Sequence, residues 1–327
     1  MTSPLMHIER LTSWLDAQGL EIGEPVSVEQ LAGGRSNVMF GVDRGAARWV
    51  LRRPAAVAVD RANDGMRREF QILDALRSTD VPHPAVVALC DDPEVLGCTF
   101  YVMERIEGVN PMPVPPALAD DHHRGEIARS MIDALTRIHQ VDWRGVGLAD
   151  LGRPEQFHQR QVSRWSRQLA SYEGRELPRI SEVMEWLDAN RPTAFEPTLM
   201  HGDFHMLNVM IARDAPGRVL AVLDWETATI GDPLLDLAGF AEVWSGIASN
   251  GWPSSAELVD HYWETRNLSA VEDLTYHKVL YNFRLAVLLE GIYQRSLRDP
   301  TRLDQHEVGA RALFNAARAH ELASGRR

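Results

Sequence analysis

The segment His201-Gly202-Asp203-Phe204-His205-Met206-Leu207-Asn208 sets a carboxylate and an amide five positions apart, with the apolar pair Val209-Met210 directly after it. Sixteen residues beyond Asn208, Val222-Leu223-Asp224-Trp225-Glu226 brings further acidic groups to the end of a β-like run. Phosphoryl transfer needs these parts. One carboxylate orients an attacking hydroxyl and accepts its proton, while a second carboxylate and an amide oxygen hold magnesium against phosphate oxygens. Hard oxygen ligands suit Mg2+. Asp203 is therefore assigned as catalytic base or orienter, and Asn208 and Asp224 as metal ligands. Each alone could be an ordinary turn residue; the spacing and the flanking strands give the set its meaning. A metal-hydrolase site competes, because His201, Asp203 and His205 alternate and could face one side of a strand. Zinc would want His or Cys partners downstream, where this chain offers Asp-Trp-Glu.

Such side chains act only when held, and the surrounding pattern predicts what holds them. Leu5, Ile8, Leu11, Trp14 and Leu15 recur at helical spacing over residues 5–18. From Val26 to Val42 the pattern is β-like, interrupted at Ala32-Gly33-Gly34-Arg35-Ser36-Asn37, and Trp49-Val50-Leu51-Arg52 forms a second short strand. Met66, Phe70, Ile72, Leu73 and Leu76 mark a helical face ending near Arg77, followed by strands at Val86–Cys90 and Thr99–Met103. The first hundred or so residues thus read as an antiparallel sheet with one long helix. Asn110–Pro116 is too rich in proline to continue a helix or central strand, which puts a boundary at Glu104–Asn110. Beyond it helices are expected at about 120–140, 155–172, 181–190, 232–249, 255–266, 271–296 and 304–323. A β-rich island, Thr198–Ala212 and Val219–Trp225, carries the acidic motifs.

Composition narrows the partners. The 327 residues are 45% hydrophobic and 24% charged, ordinary for a globular chain of one large domain or two lobes. A formal charge of −12 argues against a nucleic acid or an anionic membrane as partner. The N-terminus lacks the pattern of a secretory signal, and apolar stretches such as Leu285–Leu289 are too short to span a bilayer. Cys90 and Cys98 fit buried thiols of a reducing cytoplasm, with a disulfide as the alternative. Lys278 is the only lysine, so phosphate contacts must come from Arg, backbone N–H or metal. His139 reads as a packed helix-end histidine. Asp232 followed by Pro233 reads as a helix N-cap. The Gly33-Gly34 turn with Ser36 and Asn37 fits a loop that approaches nucleotide phosphates, although a hairpin turn has the same signature.

On His201-Gly-Asp-Phe-His-Met-Leu-Asn208, Leu223-Asp-Trp-Glu226 and Gly231-Asp-Pro-Leu-Leu-Asp-Leu-Ala238, the chain resembles the aminoglycoside phosphotransferase and choline kinase superfamily. It is especially similar to the branch fused to, or found beside, acyl-CoA dehydrogenases. Leu31-Ala-Gly-Gly-Arg-Ser-Asn37 and Trp49-Val-Leu-Arg-Arg-Pro54 extend the likeness from about residue 20 to at least 245.

The resemblance implies an α+β, bilobal protein-kinase-like fold. Residues 1–103 would form a nucleotide-binding lobe, a small antiparallel sheet with one long helix and the N-terminal helix; 104–110 a hinge; and 111–327 a larger, mainly helical lobe with a catalytic β-island. ATP or GTP and Mg2+ would occupy the interlobe cleft. Arg52, or alternatively Arg53, stands where such folds carry a phosphate-pairing lysine, a role a guanidinium can fill. Glu69 would be its carboxylate partner. Gly33, Gly34, Ser36 and Asn37 would approach the phosphates, the backbone of Glu104 and Ile106 would meet the adenine edge, and Asp236 would anchor the catalytic loop. The implied activity is a cytoplasmic small-molecule kinase acting on a hydroxyl-bearing acceptor, either a hydroxyacyl-CoA-type metabolite or an aminoglycoside. A nucleotide-binding regulator without turnover is the alternative. Oligomeric state is not indicated.

Overall fold

The structure, a computed structural model, describes residues 6–31, 37–55, 60–172, 174–214, 217–247, 251–268, 273–298 and 305–325. Gly33, Gly34 and Ser36 lie outside these residues. In chain order the elements are α1 (Ile8–Ala17), β1 (Val26–Gln30), β2 (Asn37–Arg44), β3 (Ala47–Pro54), α2 (Asp60–Leu76), β4 (Val86–Cys90), α3 (Pro93–Leu96), β5 (Phe100–Glu104) and α4 (Asp121–Gln140). Then come α5 (Phe157–Ala170), α6 (Ile180–Ala189), β6 (Thr198–Met200), a 3₁₀ turn at Met206–Asn208, β7 (Val209–Ile211) and β8 (Val219–Val222). A 3₁₀ turn at Trp225–Thr227, β9 (Thr229–Gly231), α7 (Pro233–Ile247), α8 (Ser255–Thr265), α9 (Thr275–Ser296) and α10 (Gln305–Ala323) complete the chain. Two compact units result: Met1–Arg137 with Arg144–Leu148 and Met206–Thr227, and Ile138–Trp143 with Ala149–His205 and Ala228–Arg327.

The first unit is built on a five-stranded antiparallel sheet in the order β1-β2-β3-β5-β4. Gly45, at φ +54°, turns β2 into β3, a left-handed conformation that costs glycine little. Strand alternation then sorts the residues. Phe40, Val42, Leu51, Phe100 and Val102 face α1, whose Leu11 and Leu15 are fully buried one turn apart. Burying two leucines contributes roughly 1.5–3 kcal/mol each. Arg52 falls on the opposite face from Leu51, paired across the ladder with Tyr101, and α2 covers that face through an edge-on contact of Phe70 with Tyr101 at 6.1 Å.

Helix α2 begins at Asp60, six residues before the apolar face read from the sequence. Its first turns carry Asn63, Asp64 and Gly65, so no apolar period marks them. A short hairpin, Val209↔Val222 and Met210↔Ala221, completes the unit, joined to Val109 by a bridge at Ile211.

The second unit is helical apart from the β6–β9 pair, Thr198↔Gly231 to Met200↔Thr229. Its core joins Val183 and Leu187 of α6, Val279, Leu280 and Phe283 of α9, and Ala316 and Ala319 of α10; the small residues let helices approach closely. Glycine is required at Gly231, where a Cβ would stand 2.5 Å from the Phe157 ring. Cys90 and Cys98 are free, buried thiols, and burial pushes the Cys90 thiol up to about 11. No helix among the described residues is long and apolar enough to cross a membrane.

Candidate active site

In the first unit, Arg52 is the centre of a charge cluster. Its Nε lies 2.8 Å from Glu69 Oε2, and its Nη2 donates to Asp224 Oδ1 at 2.7 Å and reaches Glu226 Oε2 at 3.7 Å. The expected Arg52–Glu69 pair is formed, and Arg53 falls on the other face of β3. Burial works against the charge on Arg52, but Glu69, Tyr101 and Asp224 more than offset it and hold the guanidinium above the ordinary arginine value. Burial pushes the Glu69 carboxyl up to about 7; Arg52 pulls it down, and Asp224 and Glu226 push it up further. Tyr101 hydrogen-bonds Glu69, and the Trp225 N–H donates to Glu69 Oε1 at 3.2 Å.

The β7–β8 hairpin brings Asn208 and Asp224 together within this unit. Each flanks the ladder at one end, and the Leu223 N–H donates to the Asn208 carbonyl at 2.8 Å. Asn110 braces the turn before β7 by donating to the carbonyls of Met206, Leu207 and Val209 at 3.0, 2.9 and 3.2 Å. Asp224 adopts φ +66°, a left-handed conformation uncommon outside glycine and characteristic of functional sites. Its side chain is 36% exposed and that of Glu226 40%, against 2% for Glu69. The first two can meet a ligand; Glu69 serves Arg52. Asn37 Nδ2 donates to Glu226 Oε2 at 3.1 Å. An amide oxygen and half-exposed carboxylates are the donor set that suits Mg2+. The Glu104 N–H is committed to the Ala85 carbonyl at 2.8 Å, and the Ile106 carbonyl accepts from Gly108 at 3.0 Å.

Asp203 belongs to the second unit. Gly202, at φ +85°, turns the chain out of β6 so that Asp236 Oδ2 accepts from His201 N–H at 2.6 Å and Oδ1 from Gly202 N–H at 2.9 Å. Asp236 thus anchors the loop, as the resemblance implied. His139 is buried behind it, with Nε2 3.3 Å from Asp236 and Nδ1 2.7 Å from the Tyr262 hydroxyl. A carboxylate only accepts, so Nε2 carries the proton and the hydroxyl donates to Nδ1; burial lowers the His139 pKa and keeps the ring neutral. Asp203 itself is half-exposed at 45%, with His205 Nε2 3.4 Å from its Oδ1. Its own N–H donates to His201 Nδ1 at 3.3 Å. That nitrogen is occupied within the loop, which weakens the alternating His-Asp-His reading.

A different His/Asp group is present. His158, Asp232 and His277 are buried with donor atoms within 4.8 Å of one another, both Nε2 atoms bonding Asp232 Oδ2 at 2.8 and 2.9 Å. Metal-bound imidazole donates its other N–H to an acceptor, but here both Nδ1 atoms are buried without hydrogen-bond partners. A carboxylate only accepts, so both Nε2–H groups donate to Asp232 and the group reads as a hydrogen-bond network, not a metal site. Asp232 also caps α7, accepting from Leu234 N–H at 3.0 Å.

Tyr101, Asn110 and Glu226 were given no role from the sequence. Glu226 sat in plain view within the Asp-Trp-Glu motif; the other two carry no local signal.

Comparison with known proteins places these sites in context. The model of the phosphotransferase enzyme family matches residues 27–274. Human acyl-CoA dehydrogenase family member 11 is 30% identical over 304 residues, which are 88% of this chain and 38% of that protein. Mouse acyl-CoA dehydrogenase family member 10 is 30% identical over 290 residues, 84% of this chain and 27% of that protein. This chain therefore spans well under half the length of those relatives. A crystal structure from Ralstonia eutropha JMP134, described provisionally as an aminoglycoside phosphotransferase, shares 30% identity and a TM-score of 0.86, covering 98% of each chain. The GDP complex of aminoglycoside 2'-phosphotransferase-IIIa has a TM-score of 0.68 at 16% identity over 95% of this chain and 99% of its own, a likeness of fold alone. The fold is the kinase-like α+β fold expected from the sequence.

Proposed function

The chain belongs to the phosphotransferase enzyme family, and from that premise we propose that it moves the γ-phosphoryl group of ATP or GTP onto a hydroxyl of a small molecule. The observation that carries this reading is buried Arg52, held by Glu69 and turned onto Asp224 in a chain with one lysine. A guanidinium so placed is charged, oriented and ready to exchange a carboxylate for a phosphate oxygen.

In the proposed mechanism Asp203 takes the acceptor's hydroxyl proton as the new O–P bond forms and the bond to the bridging β–γ oxygen breaks, releasing the nucleoside diphosphate. Asn208 and Asp224 would hold Mg2+, which when bound offsets charge on the phosphate oxygens. Glu226 keeps Asn37 and Arg52 in register. Asp236 fixes the backbone that carries Asp203. The Glu104 carbonyl and Ile106 N–H offer an acceptor and a donor to the adenine edge, and Gly33, Gly34, Ser36 and Asn37 remain the proposed phosphate contacts. We assign 1–103 to the nucleotide lobe, 104–110 to the hinge and 111–327 to the catalytic and acceptor lobe. The names of the longer relatives favour a hydroxyacyl-CoA-type acceptor.

The test is release of ADP or GDP with Mg2+ and a panel of hydroxyl acceptors, beside Asp203→Asn. Acceptor-dependent release that falls by about 10²–10⁴ in the variant, with nucleotide still bound, is expected. Tight nucleotide binding without turnover for any acceptor would favour the silent regulator, a reading motivated by arginine in the lysine position. Absence of nucleotide binding would overturn both.

A further inference from the structure

Within the first unit, at the end of the β7–β8 ladder away from Asn208 and Asp224, lies a cavity of about 350 Å³. That volume is in the range of small-molecule sites. Ser130, Asp133 and Arg137 line it from one face of α4, and Gly217, Arg218 and Val219 line it from the β8 side. The two sides are set close. Gly217 adopts φ +86°, and a Cβ there would stand 2.5 Å from Glu126 Cβ on α4. The Ser130 hydroxyl accepts from Val219 N–H at 3.0 Å and ties β8 to the helix, while its own O–H remains a donor. Two guanidiniums from different elements meet one carboxylate here, in a chain of net charge −12. Neither arginine is firmly committed. Arg137 reaches the exposed Asp80 at 3.8 Å, a surface pair worth little. Arg218 is exposed and enters no ion pair among the described residues. One guanidinium suffices for a carboxylate, whereas two on separate walls match the charge and the three oxygens of a phosphate. Asp133 would repel a bare anion but accepts from a hydroxyl.

We propose that this cavity is an effector site for a small phosphate monoester with a hydroxylated carbon skeleton, a sugar phosphate in class. Arg137 and Arg218 take the phosphate, and Asp133 and Ser130 take hydroxyls. A ligand so held braces α4 against the start of β8. That strand runs from Val219 to Val222, and Asp224 stands just past its end. The Leu223 N–H is bonded in turn to the Asn208 carbonyl, so one short ladder joins the cavity to both proposed metal ligands. The effect on nucleotide affinity rests on the kinase reading; binding of the phosphate monoester does not.

The experiment is calorimetric binding of glucose 6-phosphate and ribose 5-phosphate, each beside its parent sugar, with inorganic phosphate as the bare anion at matched ionic strength. The wild-type protein is expected to bind at least one sugar phosphate about tenfold more tightly than its sugar and than inorganic phosphate. Arg137→Glu and Arg218→Glu should each lower that affinity by about tenfold. Both side chains are exposed, so neither substitution disturbs the core. Saturating Mg-ADP should shift the sugar-phosphate affinity by roughly fivefold without abolishing it, and the sugar phosphate should shift ADP affinity by the same factor. Equal binding of sugar phosphate and sugar, equal binding of inorganic phosphate, or unchanged affinity in both arginine variants would each overturn the proposal. Full displacement by ADP would put the phosphate at the nucleotide site and overturn it too. Binding without the reciprocal shift would overturn the effector role. Failure of ADP to bind, beside intact sugar-phosphate binding, would overturn the kinase reading and leave the phosphate site standing.

Discussion

Glu69 and Asp224 of the first unit lean on one guanidinium, Arg52, whereas Asp232 and Asp236 of the second lean on imidazoles and peptide N–H groups. The contrast separates chemistry from scaffolding. Asp224 is 36% exposed at its side chain and can trade its arginine for a ligand, while Asp232 and Asp236 are each 2% exposed there and cannot reach one. A half-open cluster around an arginine is poised for exchange; a closed hydrogen-bond network fixes the backbone. On the proposed function, substrate contacts would belong at Arg52, Asn208 and Asp224, and loop geometry to Asp236.

The largest effect that sharpens this comparison is expected from Arg52→Met. Removing one partner strands the buried Glu69 carboxylate and should cost about 3–5 kcal/mol in urea unfolding. Replacing both partners, Arg52→Met with Glu69→Leu, should recover most of that stability but none of the nucleotide affinity. Recovered affinity in the double variant would show that the pair is structural only. Next in size, Asp236→Asn puts an amide donor against one of the two peptide N–H groups and should cost about 1.5–3 kcal/mol, lowering turnover through the loop. Unchanged stability would break the assignment of Asp236 to scaffolding.

A smaller effect is expected at Gly239, where an added Cβ would stand 2.6 Å from the Tyr281 ring. Gly239→Ala should push Tyr281 into the narrow gap that it lines with Asp203 and Phe204, and raise the acceptor KM on the order of tenfold, with the nucleotide KM unmoved. A change in the nucleotide constant instead would detach the gap from acceptor binding.

The smallest effect is in pH dependence, where the two units should tilt stability in opposite directions. Glu69 is raised from 4.5 to about 7, so its contribution is full below 4.5 and is lost as pH rises through 7. For Asp232 burial works upward, but the bonds from His158 and His277 prevail and hold it below its ordinary 3.8. Its contribution is present above 3.8 and is lost as pH falls below that. Melting curves across pH should show Glu69→Gln flattening the slope between 4.5 and 7, and Asp232→Asn flattening the acid limb. The reverse assignment of slopes would contradict the comparison.

Helices α4 to α10 were legible because each repeats its apolar positions every three or four residues over several turns. The first turns of α2, the four-residue α3 and the three-residue β9 were not, since too few side chains are buried there to write a period. At the site, Asp203, Asn208 and Asp224 were read from their spacing, and the Arg52–Glu69 pair from the resemblance. Tyr101 is a strand aromatic like any other until the β3–β5 register sets it opposite Arg52. The His158-Asp232-His277 network draws on three helix regions, and only the Asp232 cap was visible locally.

By itself the sequence determined the local matters: which segments are helix or strand, where the chain turns, and which acidic and amide groups stand at phosphoryl-transfer spacing. Those follow from periodicity and from backbone preferences that act over a few residues. The tertiary structure alone decided which carboxylates remain open to a ligand and which are closed, and that Arg52 rather than Arg53 meets Asp224. Burial and partner choice depend on residues far apart in the chain, and no local pattern records them.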